Sequence, residues 1–235
     1  QQSNNMEKLR IAIQKSGRLS ESSLGLMEKC GIKFPNGGGK LISEATNFPI
    51  EVLFLRDDDI PQYVEQGVAD IGIIGENVFI ESRKDIKIIE KLGFSSCRLS
   101  LAIPKEIEYS GLMYFSNKKI ATSYPNILSE FLQKNQINST IEYISGSVEI
   151  APGIGLADAI CDIVSSGSTL LSNGLKEVEQ VLFSQAVIVA NNYLKDEINE
   201  ILERFLFRIN SVRKAKENRY ILLNAPNDKI DEIVR

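Results

Sequence analysis

Short apolar runs alternate with amphipathic segments along most of the chain. Apolar runs bounded by turn residues are typical of buried strands, and apolar residues at three- or four-residue spacing indicate helices. By these patterns we predict strands over residues 9–14, 50–55, 68–74, 86–90, 97–103, 120–122, 140–145, 159–164, 181–190 and 219–224. Helices are predicted between them, with clear apolar faces near residues 24–27, 127–132, 154–159 and 196–216.

This alternation of strands and helices predicts an α/β fold with mostly parallel sheets and helices on both faces. A first strand-and-helix unit runs to about residue 103, and a second unit begins near residue 118. The apolar run 181–190 is long enough to return to the first unit. Two such units with loops between them predict a hinged protein of two lobes with a cleft.

A loop of small polar residues separates the predicted strand 159–164 from the helical pattern that follows. The loop consists of Ser165, Ser166, Gly167, Ser168 and Thr169. Backbone N–H groups are unpaired at a helix start and the helix dipole is positive there, so such a loop can hold a phosphate. The preceding acids Asp158 and Asp162 suit sugar hydroxyls or the water shell of Mg²⁺. A phosphorylated-sugar site and an ordinary helix cap without a ligand explain the loop equally well.

Cations follow two other predicted strands. Lys15 and Arg18 come directly after the first strand with Gly17 between them, and Arg56 ends the strand 50–55. Ligands of open α/β sheets bind at the carboxyl ends of the strands. Cations at that edge suit a polyphosphate, while solvated surface charge is the alternative interpretation of Lys15 and Arg18.

The composition narrows the chemistry available to such a site. The 235 residues include no histidine, which excludes histidine triads, histidine metal ligands and a histidine base. The net charge is −4 without a long basic block, so we expect no nucleic-acid partner. No apolar run has membrane-spanning length, and the three scattered cysteines lack metal-site spacing. We therefore expect no membrane association and a cytoplasmic protein with reduced thiols.

Six segments carry a pattern that runs in order along nearly the whole chain. Five of them read Gln-Lys-Ser-Gly-Arg-Leu (14–19), Leu-Arg-Asp-Asp-Asp-Ile-Pro (55–61), Gly-Ile-Ile-Gly-Glu-Asn (72–77), Cys-Arg-Leu-Ser-Leu-Ala (97–102) and Ile-Ala-Thr-Ser-Tyr-Pro (120–125). The sixth covers residues 146–170 and includes the small polar loop. Together these segments resemble the ATP phosphoribosyltransferase family.

The resemblance implies a fold like that of type II periplasmic binding proteins. The first lobe is expected over residues 1–103 and 181–218, and the second over residues 104–180. Residues 219–235 resemble the start of the histidine-binding regulatory domain of longer relatives. The implied protein is a catalytic core lacking that domain, paired as a homodimer, with a hexamer expected if the domain were present.

The resemblance also implies an activity and its residues. The family transfers the 5-phosphoribosyl group from phosphoribosyl pyrophosphate to N1 of ATP and releases pyrophosphate, the first step of histidine biosynthesis. Phosphoribosyl pyrophosphate is expected on residues 165–169 with Asp162 and Glu149. The implied ATP-binding residues are Lys15, Gly17, Arg18, Lys40, Arg56 and Arg98. Lys15 and Arg18 are the implied catalytic residues, and Mg²⁺ is expected as a cofactor carried by the substrate phosphates without a protein ligand.

Two other functions are compatible with parts of this pattern. A two-lobed module that binds a small anion or a nucleotide without catalysis would share the loops and the cleft. A purine-salvage phosphoribosyltransferase would share the acid-and-hydroxyl loop but would not explain the other five segments. An assay for pyrophosphate release separates the first alternative, and the choice between ATP and free bases as acceptor separates the second.

Overall fold

Six α-helices and eleven β-strands organise residues 6–36 and 40–223, the part of the chain described by the computed structural model. The helices are α1 Arg18–Lys29, α2 Ile60–Glu65, α3 Glu76–Ser82, α4 Pro125–Lys134, α5 Ser168–Ser172 and α6 Asp196–Leu223. The strands are β1 Leu9–Gln14, β2 Ile42–Glu44, β3 Ile50–Leu55, β4 Ile71–Gly75, β5 Lys87–Lys91, β6 Cys97–Pro104, β7 Lys119–Thr122, β8 Thr140–Tyr143, β9 Ala159–Val164, β10 Leu175–Ser184 and β11 Ala186–Ala190. None of the helices in these described ranges is both long and apolar enough to cross a membrane.

The first sheet has six strands in the order β2-β3-β1-β4-β11-β5. Strand β1 pairs in parallel with β3 and β4, while β11 pairs antiparallel with β4 and β5 and β2 pairs antiparallel with β3. Helices α1 and α6 pack on one face, and α2 and α3 pack on the other. The central strands are apolar on both faces because both faces are covered.

The second sheet has five strands in the order β10-β6-β9-β7-β8. Strand β7 pairs in parallel with β8 and β9, and β6 pairs antiparallel with β9 and β10. Helix α4 packs on one face through Ile127, Leu128 and Leu132. The opposite face packs against the 3₁₀ turn Val148–Ile150 and helix α5. Each sheet therefore has its own core, and we refer to the two units as the first and second lobes.

The chain crosses between the lobes at two neighbouring points. One crossing joins β5 to β6, and the other is Gln185 between β10 and β11. The N–H of Ala186 donates to the carbonyl of Phe94 at 2.9 Å, and the N–H of Gly93 donates to Gln185 Oε1 at 3.1 Å. The N–H of Glu76 donates to the Gln185 carbonyl at 2.9 Å. The first two bonds join the two crossings to each other, and the third joins Gln185 to the start of α3. We refer to the joined crossings as the hinge.

The pairing of the strands corrects three predictions. Four pairings are parallel and five are antiparallel, so the sheets are mixed and not mostly parallel. The apolar run 181–190 is not one strand, because Gln185 divides it between β10 of the second sheet and β11 of the first. The sheets also move the expected lobe boundaries, since residues 97–103 and 181–184 belong to strands of the second sheet.

Two further predictions of local structure are wrong. The predicted strand 219–224 is helical as far as Leu223, because α6 continues through this segment. The remainder of the segment 219–235, assigned to the start of a regulatory domain, lies outside the described residues. The predicted helix 154–159 is absent from the described chain. A 3₁₀ turn over Val148–Ile150 and a series of turns lead into β9 instead.

Candidate active site

The loops at the carboxyl ends of the parallel strands meet in a cleft of about 660 Å³ between the two lobes. The first-lobe wall is formed by Arg56, Asp57, Asp58, Val78, Glu81 and Ser82. The second-lobe wall is formed by residues 123–125, 143, 145–148 and 162. This is the edge at which open α/β sheets bind ligands. Of the predicted site residues, Arg56 and Asp162 line the cleft directly.

The predicted catalytic cations lie at the same edge of the first sheet. The N–H of Lys15 donates to the carbonyl of Leu55 at 2.7 Å, which sets Lys15 beside the strand end that carries Arg56. Gly17 caps α1 with a φ of 97°, a backbone conformation that glycine adopts without strain. Arg18 is the first residue of α1. Lys15, Gly17 and Arg18 are exposed at the carboxyl end of β1, outside the wall of the cleft itself.

Arg56 is followed by a tight acidic turn. Residues Asp57–Asp59 form a 3₁₀ turn, and the N–H of Asp58 donates to Asp57 Oδ1 at 2.9 Å. Burial raises the pKa of Asp57 and the neighbouring Asp58 carboxylate adds to the rise, while the Asp58 N–H and the Arg56 guanidinium oppose it. The first-lobe wall therefore carries one guanidinium beside carboxylates.

Lys40 lies at the outer flank of the same sheet. It is exposed and precedes β2. The N–H of Phe54 donates to the carbonyl of Leu41 at 2.9 Å, so Lys40 sits near the carboxyl end of β3. Lys40 is not part of the cleft wall, and its role in ATP binding stays a prediction.

Asp162 brings a carboxylate of the second lobe to the cleft. It lies near the end of β9 and accepts the N–H of Ile163 at 2.8 Å. Burial raises the pKa of Asp162, the Ile163 N–H opposes this rise, and the nearby Glu149 carboxylate adds to it. Glu149 is half-buried in the 3₁₀ turn Val148–Ile150. The two predicted ribose-binding acids are thus near each other.

The small polar loop follows β9 directly, as predicted. Gly167 adopts a φ of 78° and caps α5, a helix of five residues that begins at Ser168. The hydroxyls of Ser166 and Ser168 are 3.0 Å apart. Ser165, Ser166, Ser168 and Thr169 are exposed, so their hydroxyls and the first N–H groups of the loop are open to a ligand. The loop lies beyond Asp162, outside the cleft wall.

Arg98 is placed differently from the other predicted ATP-binding residues. It lies in β6 of the second sheet, opposite Val164 at the end of β9. Its guanidinium donates to both carboxylate oxygens of Glu177, at 2.6 Å and 2.8 Å. Arg98 is therefore near the small polar loop and engaged by a carboxylate, and an ATP contact of Arg98 stays a prediction.

Several residues of the cleft wall are not among the predicted site residues. They lie at or just after the carboxyl ends of β7 and β8, and they are Ser123, Tyr124, Tyr143, Ser145, Gly146 and Ser147. The signal that could have found them is their position at the carboxyl ends of two predicted strands. The Ser-Tyr-Pro sequence after β7 was part of the family pattern but carried no assigned role.

Glu81 links the two lobes across this wall. Its carboxylate accepts the N–H groups of Asn126 and Ile127, each at 2.9 Å, at the start of α4. The side-chain amide of Asn126 donates to the Glu81 carbonyl at 3.0 Å. A carboxylate at a helix N-terminus is stabilised by the unpaired N–H groups and the helix dipole. Glu81 of the first lobe therefore caps a helix of the second.

Glu81→Gln is expected to destabilise the protein by about 1–2 kcal/mol, because an amide replaces a charged acceptor of two backbone N–H groups. Urea denaturation measures this change. Glu130→Gln is the matched control, since Glu130 lies on α4, the helix that Glu81 caps, in an exposed pair with Lys134 at 3.5 Å. The control is expected to cost less than about 0.5 kcal/mol. Equal losses in the two variants would contradict a capping role.

Comparisons with known proteins identify the family to which this chain belongs. Residues 56–211 match the family model HisG, described as ATP phosphoribosyltransferase. The chain is 58% identical over 226 residues to a protein of Bacteroides thetaiotaomicron named ATP phosphoribosyltransferase. The similarity covers 96% of this chain and 80% of that relative.

Solved structures agree with this match. The chain is similar to a chain of an ATP phosphoribosyl transferase (HisG:HisZ) complex from Thermotoga maritima, with a TM-score of 0.75 and 29% identity over 88% of this chain and 98% of the other. It shares the fold alone with a histidine kinase sensor domain similar to periplasmic binding proteins, with a TM-score of 0.61 and 13% identity over 94% and 96% of the two chains. The predicted two-lobed α/β fold of the periplasmic-binding-protein type is thereby confirmed. The chain belongs to the ATP phosphoribosyltransferase family, whose members catalyse the first step of histidine biosynthesis.

Proposed function

We propose that this chain transfers the 5-phosphoribosyl group from phosphoribosyl pyrophosphate to N1 of ATP and releases pyrophosphate in the cleft between its lobes. One observation carries the proposal. The carboxyl-end edge of the first sheet, with Arg56, and that of the second sheet, with Asp162, line one cleft, and the other predicted cations and the small polar loop lie at the same two edges outside the cleft wall. The first edge suits polyphosphate, and the second suits a phosphorylated sugar.

The phosphorylated sugar is assigned to the second lobe. Residues 165–169 would hold the 5-phosphate through hydroxyls and backbone N–H groups, with Gly167 allowing close approach of the backbone. Asp162 would accept a hydrogen bond from a ribose hydroxyl, with Glu149 next to it. In these assignments the uncharged loop binds the anionic phosphate of the ligand, and the carboxylates bind its ribose hydroxyls.

ATP and the leaving pyrophosphate are assigned to the first lobe. Adenine N1 carries its own lone pair and attacks C1 of the ribose, so the reaction needs no strong base. The barrier arises from positive charge on the ribose and negative charge on the departing pyrophosphate. Lys15, Arg18 and Arg56 would stabilise the negative charge, and closure of the lobes would align the two substrates. Lys40 of the first lobe and Arg98 of the second would contribute further contacts to ATP.

Mg²⁺ fits this cleft as part of the substrates. Within the described residues, no group of three or more acidic or cysteine side chains could hold a metal ion. The cleft wall nevertheless carries the carboxylates of Asp57, Asp58, Glu81 and Asp162 beside Arg56, which would repel a bare polyphosphate. Mg²⁺ on the phosphates would neutralise part of their charge. The acids would then contact the ion through its water shell.

We also propose that the chain acts as a homodimer in the cytoplasm. The family relative from Thermotoga maritima is itself part of a complex of two protein types. Mass measurement in solution, carried out alongside the activity assay, tests the homodimer.

The activity is tested by mixing the protein with ATP, phosphoribosyl pyrophosphate and MgCl₂. Pyrophosphate release and a product with the mass of phosphoribosyl-ATP are expected. Binding of both substrates without pyrophosphate release would favour a non-catalytic binding module. Turnover with free purine bases in place of ATP would favour a purine-salvage enzyme.

Asp162→Asn is expected to raise thermal stability at pH 7 while weakening phosphoribosyl pyrophosphate binding. The folded-state pKa of Asp162 lies above the unfolded value because the carboxyl is buried. Its ionisation therefore costs stability as the pH rises through the interval between the two values. The gain in stability from Asp162→Asn should be fully present at pH values above the folded-state pKa of Asp162. It should vanish at pH values below the unfolded-state pKa.

Scanning calorimetry across this pH interval measures the gain, and titration calorimetry measures the loss of binding. Asp158→Asn is the control at the other end of β9, where Asp158 accepts the N–H of Lys119 at 2.9 Å. This control should lose stability, since it weakens that bond. If the difference in stability between Asp162→Asn and the wild type does not change with pH, the electrostatic explanation is contradicted.

A further inference from the structure

Three side chains form a chain of hydrogen bonds that runs from the hinge to the cleft. Ser184, the last residue of β10, donates from Oγ to Asn77 Oδ1 at 2.9 Å, and the Asn77 backbone N–H donates back to Ser184 Oγ at 3.1 Å. Asn77 Nδ2 then donates to Tyr124 Oη at 3.1 Å. Ser184 and Asn77 are 0% and 6% exposed, whereas Tyr124 lines the cleft. We call these three residues the hinge chain.

The direction of these bonds leaves one proton for a ligand. A phenol can accept hydrogen bonds and has one O–H to donate. Because Asn77 donates to Tyr124 Oη, the phenol is the acceptor on that side. The amide cannot turn its oxygen toward Tyr124 without giving up the bond from Ser184. In the described part of the chain, no protein group accepts the O–H of Tyr124.

The backbone of Tyr124 is also fixed with respect to β9. Its N–H donates to Thr122 Oγ1 at 3.0 Å, and the Thr122 hydroxyl donates to the carbonyl of Cys161 at 2.7 Å. Thr122 is fully buried, and Cys161 precedes Asp162 in the strand. Tyr124 just after β7 and Asp162 near the end of β9 therefore line the cleft from the ends of two strands that pair with each other.

Tyr124 remains a neutral donor in this setting. Burial raises the pKa of Tyr124, the bond from Asn77 opposes the rise, and the carboxylates of Asp162 and Asp57 add to it. The phenol thus keeps its proton at neutral pH. A neutral O–H donor and a carboxylate acceptor stand on the same wall of the cleft.

We propose that Tyr124 and Asp162 together bind one ribose hydroxyl of phosphoribosyl pyrophosphate, with Asn77 and Ser184 as positioning residues. Tyr124 donates to the hydroxyl oxygen, and the hydroxyl donates to Asp162. A hydroxyl suits this pair because it donates and accepts at once, whereas a phosphate oxygen only accepts and would be repelled by the carboxylate. This inference rests on the proposed function, since it refines how the second lobe holds its substrate.

Tyr124→Phe removes the donor and keeps the ring. It is expected to lower kcat/KM for phosphoribosyl pyrophosphate about 3- to 10-fold, the range for one neutral hydrogen bond. The assay is repeated with analogues of phosphoribosyl pyrophosphate that lack the 2- or the 3-hydroxyl. With one of the two analogues, the wild type and Tyr124→Phe should become equal within about 2-fold. A loss that persists with both analogues would overturn the proposal.

Asn77→Ala tests the positioning role. It is expected to lower kcat/KM about 2- to 5-fold, and this loss should disappear in the Tyr124→Phe background because both changes remove the same interaction. A loss of the same size in that background would mean that Asn77 acts only on the fold. If Asn77→Ala does not fold, Ser184→Ala supplies the same comparison, because it removes the bond that orients the amide.

Two controls separate this inference from the proposed function. Tyr193→Phe changes a tyrosine that is 91% exposed and outside the cleft, and it should leave kcat/KM unchanged. Absence of pyrophosphate release by the wild-type protein would reject the proposed function itself. Normal wild-type release combined with a Tyr124→Phe effect independent of the ribose hydroxyls would reject the hydroxyl pair alone.

Discussion

Arg18→Ala is expected to lower kcat by about 10²–10³, with a much smaller effect on the affinity for phosphoribosyl pyrophosphate. Losing one preorganised charge that stabilises a developing anion typically has a cost of this size. Arg18 is held for this task at the first position of α1, directly after the glycine cap at the carboxyl end of β1. Steady-state kinetics with both substrates, together with titration calorimetry, separate the rate from the affinity.

Lys29→Ala is the matched control for Arg18→Ala. Lys29 is an exposed cation in the last turn of the same helix, at the end away from the cleft edge. Its loss changes the net charge equally but should alter kcat by less than about 2-fold, because exposed charges at this distance are screened by salt. Unchanged turnover in Arg18→Ala would refute the catalytic assignment. Equal losses of kcat in both variants would show that the net charge of the protein, and not the position of Arg18, affects the rate.

Strands that are buried on both faces were predictable from their apolar runs alone. Strands β1, β3 and β9 were predicted with the bounds that they have in the fold, since helices or turns cover both faces of each sheet. The run 181–190 shows the limit of this signal. The apolar residues of this run do not indicate that the chain changes sheets at Gln185. That change depends on the pairing of β10 with β6 and of β11 with β4.

The end of the described chain shows a second limit. The segment Tyr-Ile-Leu-Leu after Arg219 reads as a short apolar strand by composition. In the structure it continues α6, whose preceding turns are already formed. Extending a helix adds a hydrogen bond for each residue fixed, whereas a new strand needs a partner. A short apolar run next to a helix therefore predicts secondary structure poorly.

The candidate site was predictable where its chemistry follows a strand directly. The cations after β1 and β3 and the small polar loop after β9 were identified in this way. Side-chain contacts between residues that are distant in sequence were not predictable in this way. Arg98 meets Glu177 across 79 positions, and Glu81 reaches Asn126 across 45. Side-chain direction and lobe contacts depend on the tertiary fold, which periodicity does not contain.

Gly167→Val is expected to weaken phosphoribosyl pyrophosphate binding by at least about 100-fold while the protein stays folded. Gly167 has a φ of 78°, and a β-branched side chain is strained in this left-handed conformation. An added Cβ would meet no atom within 4 Å, so the backbone strain, and not a clash, is the local cost. Relief of the strain would turn the loop N–H groups away from the 5-phosphate. Loss of two charge-assisted hydrogen bonds accounts for the size of the effect.

Gly174→Val is the control that separates strain from binding. Gly174 follows the other end of α5, has a φ of 70° and also has no atom within 4 Å of an added Cβ. Both variants should therefore lose a similar stability, about 1–2 kcal/mol for a side chain in the left-handed region. Only Gly167 belongs to the loop that is assigned to the phosphate, so only Gly167→Val should lose binding in titration calorimetry. Normal affinity in Gly167→Val would show that the 5-phosphate binds elsewhere, and equal losses of affinity in both variants would show that α5 as a whole, and not its first loop, supports the site.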